Sequence, residues 1–297
     1  MRLARVAYGD GIRTAVLGEK EQLFVLPVGA PGVDDLVRLG LGPALAEVSA
    51  LLASAEAVPA DAVVFLAPLT RFNRDILCTG WNYTDHFSES LGKRDGQGPV
   101  EMPEHPTFFT KGPGVVIGPA DPIAFDAGLS AKWDYEVEIA LVIGTPGRSL
   151  RAETAADHVF GYFVANDISQ RDLQRQHGGQ WLKGKSVDGT MPIGPWITTA
   201  DEVDLTSLQL SLTVNGETRQ NAPATAMAFT VPVLLEELSR GMTLEAGDVV
   251  LTGTPSGIGS AREPAVFLAD GDEIVTRVDG LGELRNRVTA TDLTSPA

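Results

Sequence analysis

Apolar and polar positions alternate from Arg2 to Pro27, with breaks at Gly9-Asp10-Gly11 and Gly18-Glu19-Lys20, a pattern that predicts a small antiparallel meander. From Asp34 to Ala55 the spacing turns helical, and a short apolar run from Ala62 to Leu66 closes on Ala67-Pro68. Beyond Arg71, apolar runs of strand length recur between glycines and prolines: Ile76 to Thr79, Thr107 to Thr110, Tyr135 to Ile143, Val159 to Ala165, Leu208 to Val214, Val249 to Thr252 and Glu273 to Val278. Asn215-Gly216 between two alternating runs predicts a hairpin, and Val231 to Arg240 before Gly241 predicts a helix with a glycine stop. The polar tail after Asn286 reads as frayed. The pattern gives a strand-rich α+β chain, with a small N-terminal domain over residues 1–70. Residues 71–297 form a larger domain that holds every dense cluster of catalytic-type side chains.

Composition narrows the function classes. The 39 acidic and 23 basic side chains give a net charge of -16, which repels phosphate backbones and anionic lipid, so neither nucleic acid nor membrane is an expected partner. An anionic small molecule is still allowed, because a bound cation with local Lys and Arg reverses the sign inside a pocket. The single cysteine, Cys78, forms no internal disulfide and has no neighbours for a zinc cluster, which fits a reducing cytoplasm. The stretch from Met1 to Val28 contains no apolar run of signal-peptide length, and no later run approaches a membrane span. A soluble, untargeted protein is expected.

Three segments carry candidate chemistry. Between Trp133 and Ile143 the odd positions are all apolar, so as a strand the segment buries one face and lines Asp134, Glu136 and Glu138 along the other, roughly 6.6 Å apart. Like charges that close repel unless a cation lies between them, and a hard divalent ion prefers carboxylate oxygens. A solvated sheet face is the competing reading, and the pattern does not say which of the three carboxylates would bind. Asn166-Asp167 ends a strand-like run and offers a further carboxylate; Arg171 and Asp172 follow in a charged segment. In the segment Gly80 to Glu89, His86 and Glu89 stand three apart and share a face if helical, the arrangement of an imidazole base oriented by a carboxylate.

Two glycine-rich stretches need separate treatment. Gly179 to Ser186 fits the spacing of a phosphate loop, but Pro192 and Pro195 lie where its helix would run, and Trp181 and Leu182 are too bulky for a backbone cradle. Nucleotide binding is therefore not expected. The loop Gly253 to Gly259 does not match a dinucleotide fingerprint; it reads as a carboxylate-holding loop or as a plain turn.

Taken in order, GWNYTDH, KWDYEVEIALVIG, ANDISQRDLQ, GKS and TGTPSGIG resemble the motif series of the fumarylacetoacetate hydrolase family, across about Asp75 to Val288. The resemblance implies a rolled mixed β-sandwich with a smaller leading domain, usually in a homodimer. It implies Glu136, Glu138 and Asp167 as metal ligands, with Mg²⁺ or Mn²⁺ as the ion and Ca²⁺ as a substitute, and leaves Asp134 as a neighbour. Lys185 matches the active-site lysine, and His86 with Glu89 the catalytic pair of the smaller members. Gln174 and Thr254 match substrate contacts; Tyr83 and Arg171 are grouped with them, Arg171 as a support of the site, and Lys111 is assigned to the entrance loop. Larger members carry a carboxylate ligand where this chain has Asn82, so the three-carboxylate site of the smaller bacterial-type members is the better guide. The stretch from His177 to Trp196 looks most like bacterial enzymes of aromatic and sugar-acid degradation.

The activity so implied is metal-dependent hydrolysis of a C–C bond in a 2-oxo acid of the acylpyruvate or fumarylpyruvate type. Decarboxylation of an oxaloacetate-like acid and isomerisation are the alternatives within the family, and a non-catalytic metabolite-binding protein is the alternative outside it. The segment Leu91 to Pro106, rich in Gly, Pro and charge, reads as a lid.

Overall fold

A computed structural model describes residues 1–18, 22–93 and 98–296. The predicted runs appear as strands Ile76–Gly80, Thr107–Lys111, Val137–Ile143, Val159–Asn166, Gln209–Val214, Val249–Leu251 and Glu273–Val278. The N-terminal meander is Arg2–Tyr8, Gly11–Leu17 and Gln22–Val25; its second break falls largely on Glu19 and Lys20, outside the described residues. The helical stretch is two helices, Val33–Leu39 and Leu41–Leu52, parted at Gly40.

These strands assemble into two packed sheets. The larger runs from Glu56–Pro59 through the meander to Met191–Thr199, Val159–Asn166, Val137–Ile143, Val249–Leu251, Ile76–Gly80 and Thr107–Lys111. It is mostly antiparallel, with Val249–Leu251 parallel to Ile76–Gly80. The meander joins it where Arg2 and Leu3 pair with Thr198 and Ile197. The second sheet is Glu217–Pro223, Gln209–Val214, Glu273–Val278, Gly282–Ala290 and Ile123–Phe125. This is the strand-rich α+β class expected.

Strand Val137–Ile143 is buried along its whole length, and its alternation sorts side chains between two cores. Val137, Ile139, Leu141 and Ile143 pack with Leu210, Leu212 and Ile274 of the second sheet. Ala140 and Val142 face the other way, with Leu36, Val48, Phe160 and Phe163. The face bearing Glu138 is therefore covered by protein, which removes the solvated-sheet reading.

Two expectations are corrected here. The tail was expected to fray after Asn286, yet Gly282–Ala290 pairs with Glu273–Val278 and Ile123–Phe125, burying Leu284, Asn286 and Val288 on one side. Nine residues over Met191–Thr199, read only as non-helical, form a central strand despite Pro192 and Pro195. No helix among the described residues is long and apolar enough to cross a membrane.

Candidate metal centre and cavity

The Trp133–Ile143 segment is two strands, Trp133–Asp134 and Val137–Ile143, interrupted at Tyr135 and Glu136. At the interruption the Glu136 N–H donates to Asn166 Oδ1 at 3.0 Å, and the Asp167 N–H donates to the Glu136 carbonyl at 2.9 Å. This exchange brings the end of the neighbouring strand beside Glu136. Glu136, Glu138 and Asp167 are all buried, with one oxygen of each within 4.8 Å of the others. Asp134 stands apart: its carboxylate accepts from the N–H groups of Gly259 and Ser260 at 2.7 and 3.0 Å.

Three cations surround the carboxylates. Lys185 Nζ donates to Glu136 Oε2 at 2.7 Å and Asp167 Oδ2 at 2.6 Å. Lys111 Nζ donates to Asp167 Oδ1 at 2.7 Å and the Ile168 carbonyl at 2.9 Å. Arg171 donates to Glu136 Oε1 at 2.6 Å, Asp134 Oδ2 at 2.9 Å and Gln174 Oε1 at 3.2 Å. Lys111 was expected at the entrance loop, but it is fully buried in strand Thr107–Lys111 beneath Asp167 and lines no part of the entrance.

Four carboxylates thus face three cations, and the charge falls short at Glu138. Among the described residues its only donor is the Gly253 N–H, at 2.6 Å. Burial, then the charges of Asp167 and Glu136, push its carboxyl well above the usual range. Burial would raise Glu136 too, but Lys185 and Arg171 outweigh it and hold that carboxyl at about 2. Lys185 is likewise opposed by burial, and Asp167 and Glu136 keep its pKa above the ordinary lysine value. A buried all-oxygen donor set one positive charge short fits a hard divalent cation.

A cavity of about 660 Å³ opens onto this centre, lined by Glu136, Glu138, Lys185, His86, Gln174 and Thr254 among others. His86 and Glu89 lie on the helix Thr84–Glu89, with His86 Nδ1 2.9 Å from Glu89 Oε1. The other Glu89 oxygen accepts from the Gly257 N–H at 2.8 Å. Glu89 Oε1 faces the imidazole, so an Nδ1–H would donate to it and leave Nε2 as the nitrogen open to other partners. Gln174 follows Arg171 on the helix Arg171–Gln176. Tyr83, taken as a substrate contact, lies outside the cavity lining: its ring is in the main core, 1% exposed, with its phenol raised by burial and by nearby Glu138.

The glycine-rich loop holds carboxylates, but they are the protein's own: its N–H groups bind Glu138, Glu89 and Asp134. A Cβ on Gly257 would lie 2.0 Å from the Arg219 carbonyl oxygen, and its φ of +111° is one that side chains avoid. Asn82 spans backbone instead of ligating, accepting from the Phe229 N–H at 2.8 Å and donating to the carbonyls of Thr252 and Phe229 at 2.8 and 3.0 Å. The phosphate-loop spacing at Gly179 to Ser186 leads only into a three-residue 3-10 turn, Leu182–Gly184, and no helix. Of the expected lid, residues 94–97 lie outside those described; Lys93 lines the cavity and pairs with Glu263 at 2.9 Å.

Sequence reasoning missed the aromatic wall and one buried amide. Trp181 packs edge-on against Trp81 at 4.8 Å and tilted against Phe109 at 5.0 Å, and Lys185 Nζ sits 5.1 Å over Phe109. Gln220, buried in strand Glu217–Pro223, bonds Thr254 and Val137. A glutamine in an edge hairpin gives no signal of such a role.

The chain belongs to the fumarylacetoacetate hydrolase family, a family of enzymes: the family described as Fumarylacetoacetate (FAA) hydrolase C-terminal matches residues 75–289. It is 43% identical over 223 residues to the oxaloacetate tautomerase YisK of Bacillus subtilis (strain 168), covering 75% of this chain and 72% of that one. It is 40% identical over 241 residues to the mitochondrial oxaloacetate tautomerase FAHD2A of Homo sapiens, covering 80% and 74%. Among solved structures, the fumarylacetoacetate hydrolase EaFAH of the psychrophilic Exiguobacterium antarcticum matches with a TM-score of 0.84 at 38% identity, over 98% of this chain and 100% of that one.

Proposed function

We propose that this protein interconverts the keto and enol forms of a small 2-oxo dicarboxylic acid of the oxaloacetate type. The observation that carries the reading is the convergence of the Glu136, Glu138 and Asp167 carboxylates, Lys185 and the Glu89-held His86 on one cavity. The similarity to two oxaloacetate tautomerases favours that substrate class.

Glu136, Glu138 and Asp167 would hold Mg²⁺ or Mn²⁺, with Ca²⁺ as a substitute. A divalent ion there supplies Lewis acidity toward a 2-oxo carboxylate. His86 Nε2 takes a proton from C3 of the keto acid, and Glu89 steadies the imidazolium that forms. The electron pair of the broken C–H bond forms the C2–C3 double bond and the carbonyl π pair moves to the C2 oxygen, where the Lys185 ammonium offsets the charge until that oxygen takes the proton back from the His86 imidazolium. Arg171 fixes Glu136 and turns the Gln174 amide NH₂ toward the ligand. A homodimer is the proposed assembly.

C–C hydrolysis of an acylpyruvate or fumarylpyruvate is the second reading. It is favoured by the size of the cavity, far more than a four-carbon acid fills, and by the likeness to a fumarylacetoacetate hydrolase. In that case His86 takes the proton from water. Oxaloacetate decarboxylation passes through the same enolate. A purely binding role would leave the His86–Glu89 pair without a task.

The test is product identification on acylpyruvates, fumarylpyruvate and oxaloacetate, with metal-stripped and reloaded protein. Faster keto–enol conversion of oxaloacetate is expected; pyruvate plus a second acid moves the assignment to hydrolase, CO₂ to decarboxylase, and inactivity throughout to a binding protein.

A further inference from the structure

Gln220 is 1% exposed and lies behind the cavity wall. Its Oε1 accepts from the Val137 N–H at 2.9 Å, and its Nε2 donates to the Pro255 carbonyl at 2.7 Å and to Thr254 Oγ1 at 2.8 Å. A backbone N–H only donates and a carbonyl only accepts, so the amide has one permitted orientation. Thr254 Oγ1 is therefore an acceptor in this bond, and its single proton must point elsewhere.

Among the described residues no protein acceptor takes that proton, while Thr254 lines the cavity and directly follows Gly253, whose N–H holds Glu138. We propose that Gln220 is a positioning residue that commits the Thr254 hydroxyl to donate into the cavity, to an anionic oxygen of the bound acid. The inference rests on the reading that this cavity takes a 2-oxo acid. A hydroxyl locked as donor also discriminates: it rewards a carboxylate or oxo oxygen and penalises a ligand group that must itself donate.

The test is calorimetric binding of oxalate, an unreactive chelating carboxylate, to the full chain saturated with Mg²⁺. Thr254→Val should weaken oxalate roughly tenfold, the loss of one hydrogen bond to a charged group, while Thr254→Ser retains affinity. Gln220→Glu, which draws the hydroxyl proton to itself, should weaken oxalate as much in the wild-type background and less than twofold in Thr254→Val. Gln220→Met, which imposes no orientation, should give a smaller loss that also vanishes in Thr254→Val. Circular dichroism checks that each variant is folded. A purely structural role, exerted through Val137 between Glu136 and Glu138, would act equally in both backgrounds and shift Mg²⁺ affinity. That pattern overturns the proposal, as does wild-type protein that binds no oxalate. The donor pattern without turnover of oxaloacetate would sink the reaction reading and leave this assignment standing.

Discussion

Lys185 Nζ donates to Asp167 Oδ2 at 2.6 Å, and both side chains are shut away from water, at 2% and 0% exposure. The same ammonium reaches Glu136, so it is the shared counter-charge of two of the three converging carboxylates. Lysine at this position balances the site and, in the proposed reaction, stabilises the developing oxyanion.

Replacing Lys185 by Met should therefore act twice. Denaturant unfolding should show a loss of about 3 kcal/mol, because two buried carboxylates lose a partner. Turnover should fall roughly 100-fold or more while Mg²⁺ still binds, since the carboxylates are intact. Unchanged turnover would remove Lys185 from the mechanism.

Glu138 sets the pH behaviour. Its folded carboxyl is raised by burial and by Asp167 and Glu136, so metal-free protein holds a proton there that the unfolded chain gives up. Stability from this group is full below the ordinary value of 4.5 and is lost as pH rises through the raised one. Thermal unfolding of metal-free protein should show that decline, and Glu138→Gln should flatten it. Mg²⁺ binding should release protons to buffer, measured by calorimetry in buffers of different ionisation enthalpy, and stabilise wild type but not Glu138→Gln. Equal stabilisation of both proteins would take Glu138 out of the ligand set.

His86→Asn should leave the unfolding midpoint within a few degrees of wild type, because His86 lies at the cavity and not in either core. Its kcat should fall roughly 10²- to 10⁴-fold. Glu89→Gln should fall less, since the single amide oxygen can still accept from the imidazole, with the bond from the Gly257 N–H to the other carboxylate oxygen lost. Retained kcat in His86→Asn would assign the proton transfer to another group.

Much of this was legible in the sequence. Alternation with a period of two marked the strand Val137–Ile143 that bears Glu138, with Glu136 at the break just before it, and a spacing of three paired His86 with Glu89, because both are local geometry. What failed were residues whose role is set by distant partners. Lys111 looked like a loop lysine until strand pairing put it under Asp167, 56 residues on. Tyr83 sits in a motif next to Asn82 and Thr84, but the turn before its helix sends its ring to the core. Met191–Thr199 was obscured because two prolines mask a strand that the sheet accepts at its centre.

Gly80 supplies a test of the aromatic wall. A Cβ there would lie 2.7 Å from the Trp181 ring. Gly80→Ala should displace Trp181, alter the near-ultraviolet dichroism of the Trp81–Trp181 pair, and cost about 1–3 kcal/mol from overpacking. KM should rise several-fold with a smaller change in kcat, measured by steady-state kinetics; a proportional loss in kcat alone would place Trp181 in the chemistry.

The most direct test of the central claim is the rate at which enol-oxaloacetate converts to the keto form, followed by ultraviolet absorbance, with metal-stripped wild type, Mg²⁺- or Mn²⁺-loaded wild type and loaded His86→Asn. The account predicts acceleration by loaded wild type alone. No acceleration over buffer, or equal acceleration by loaded His86→Asn, would contradict it.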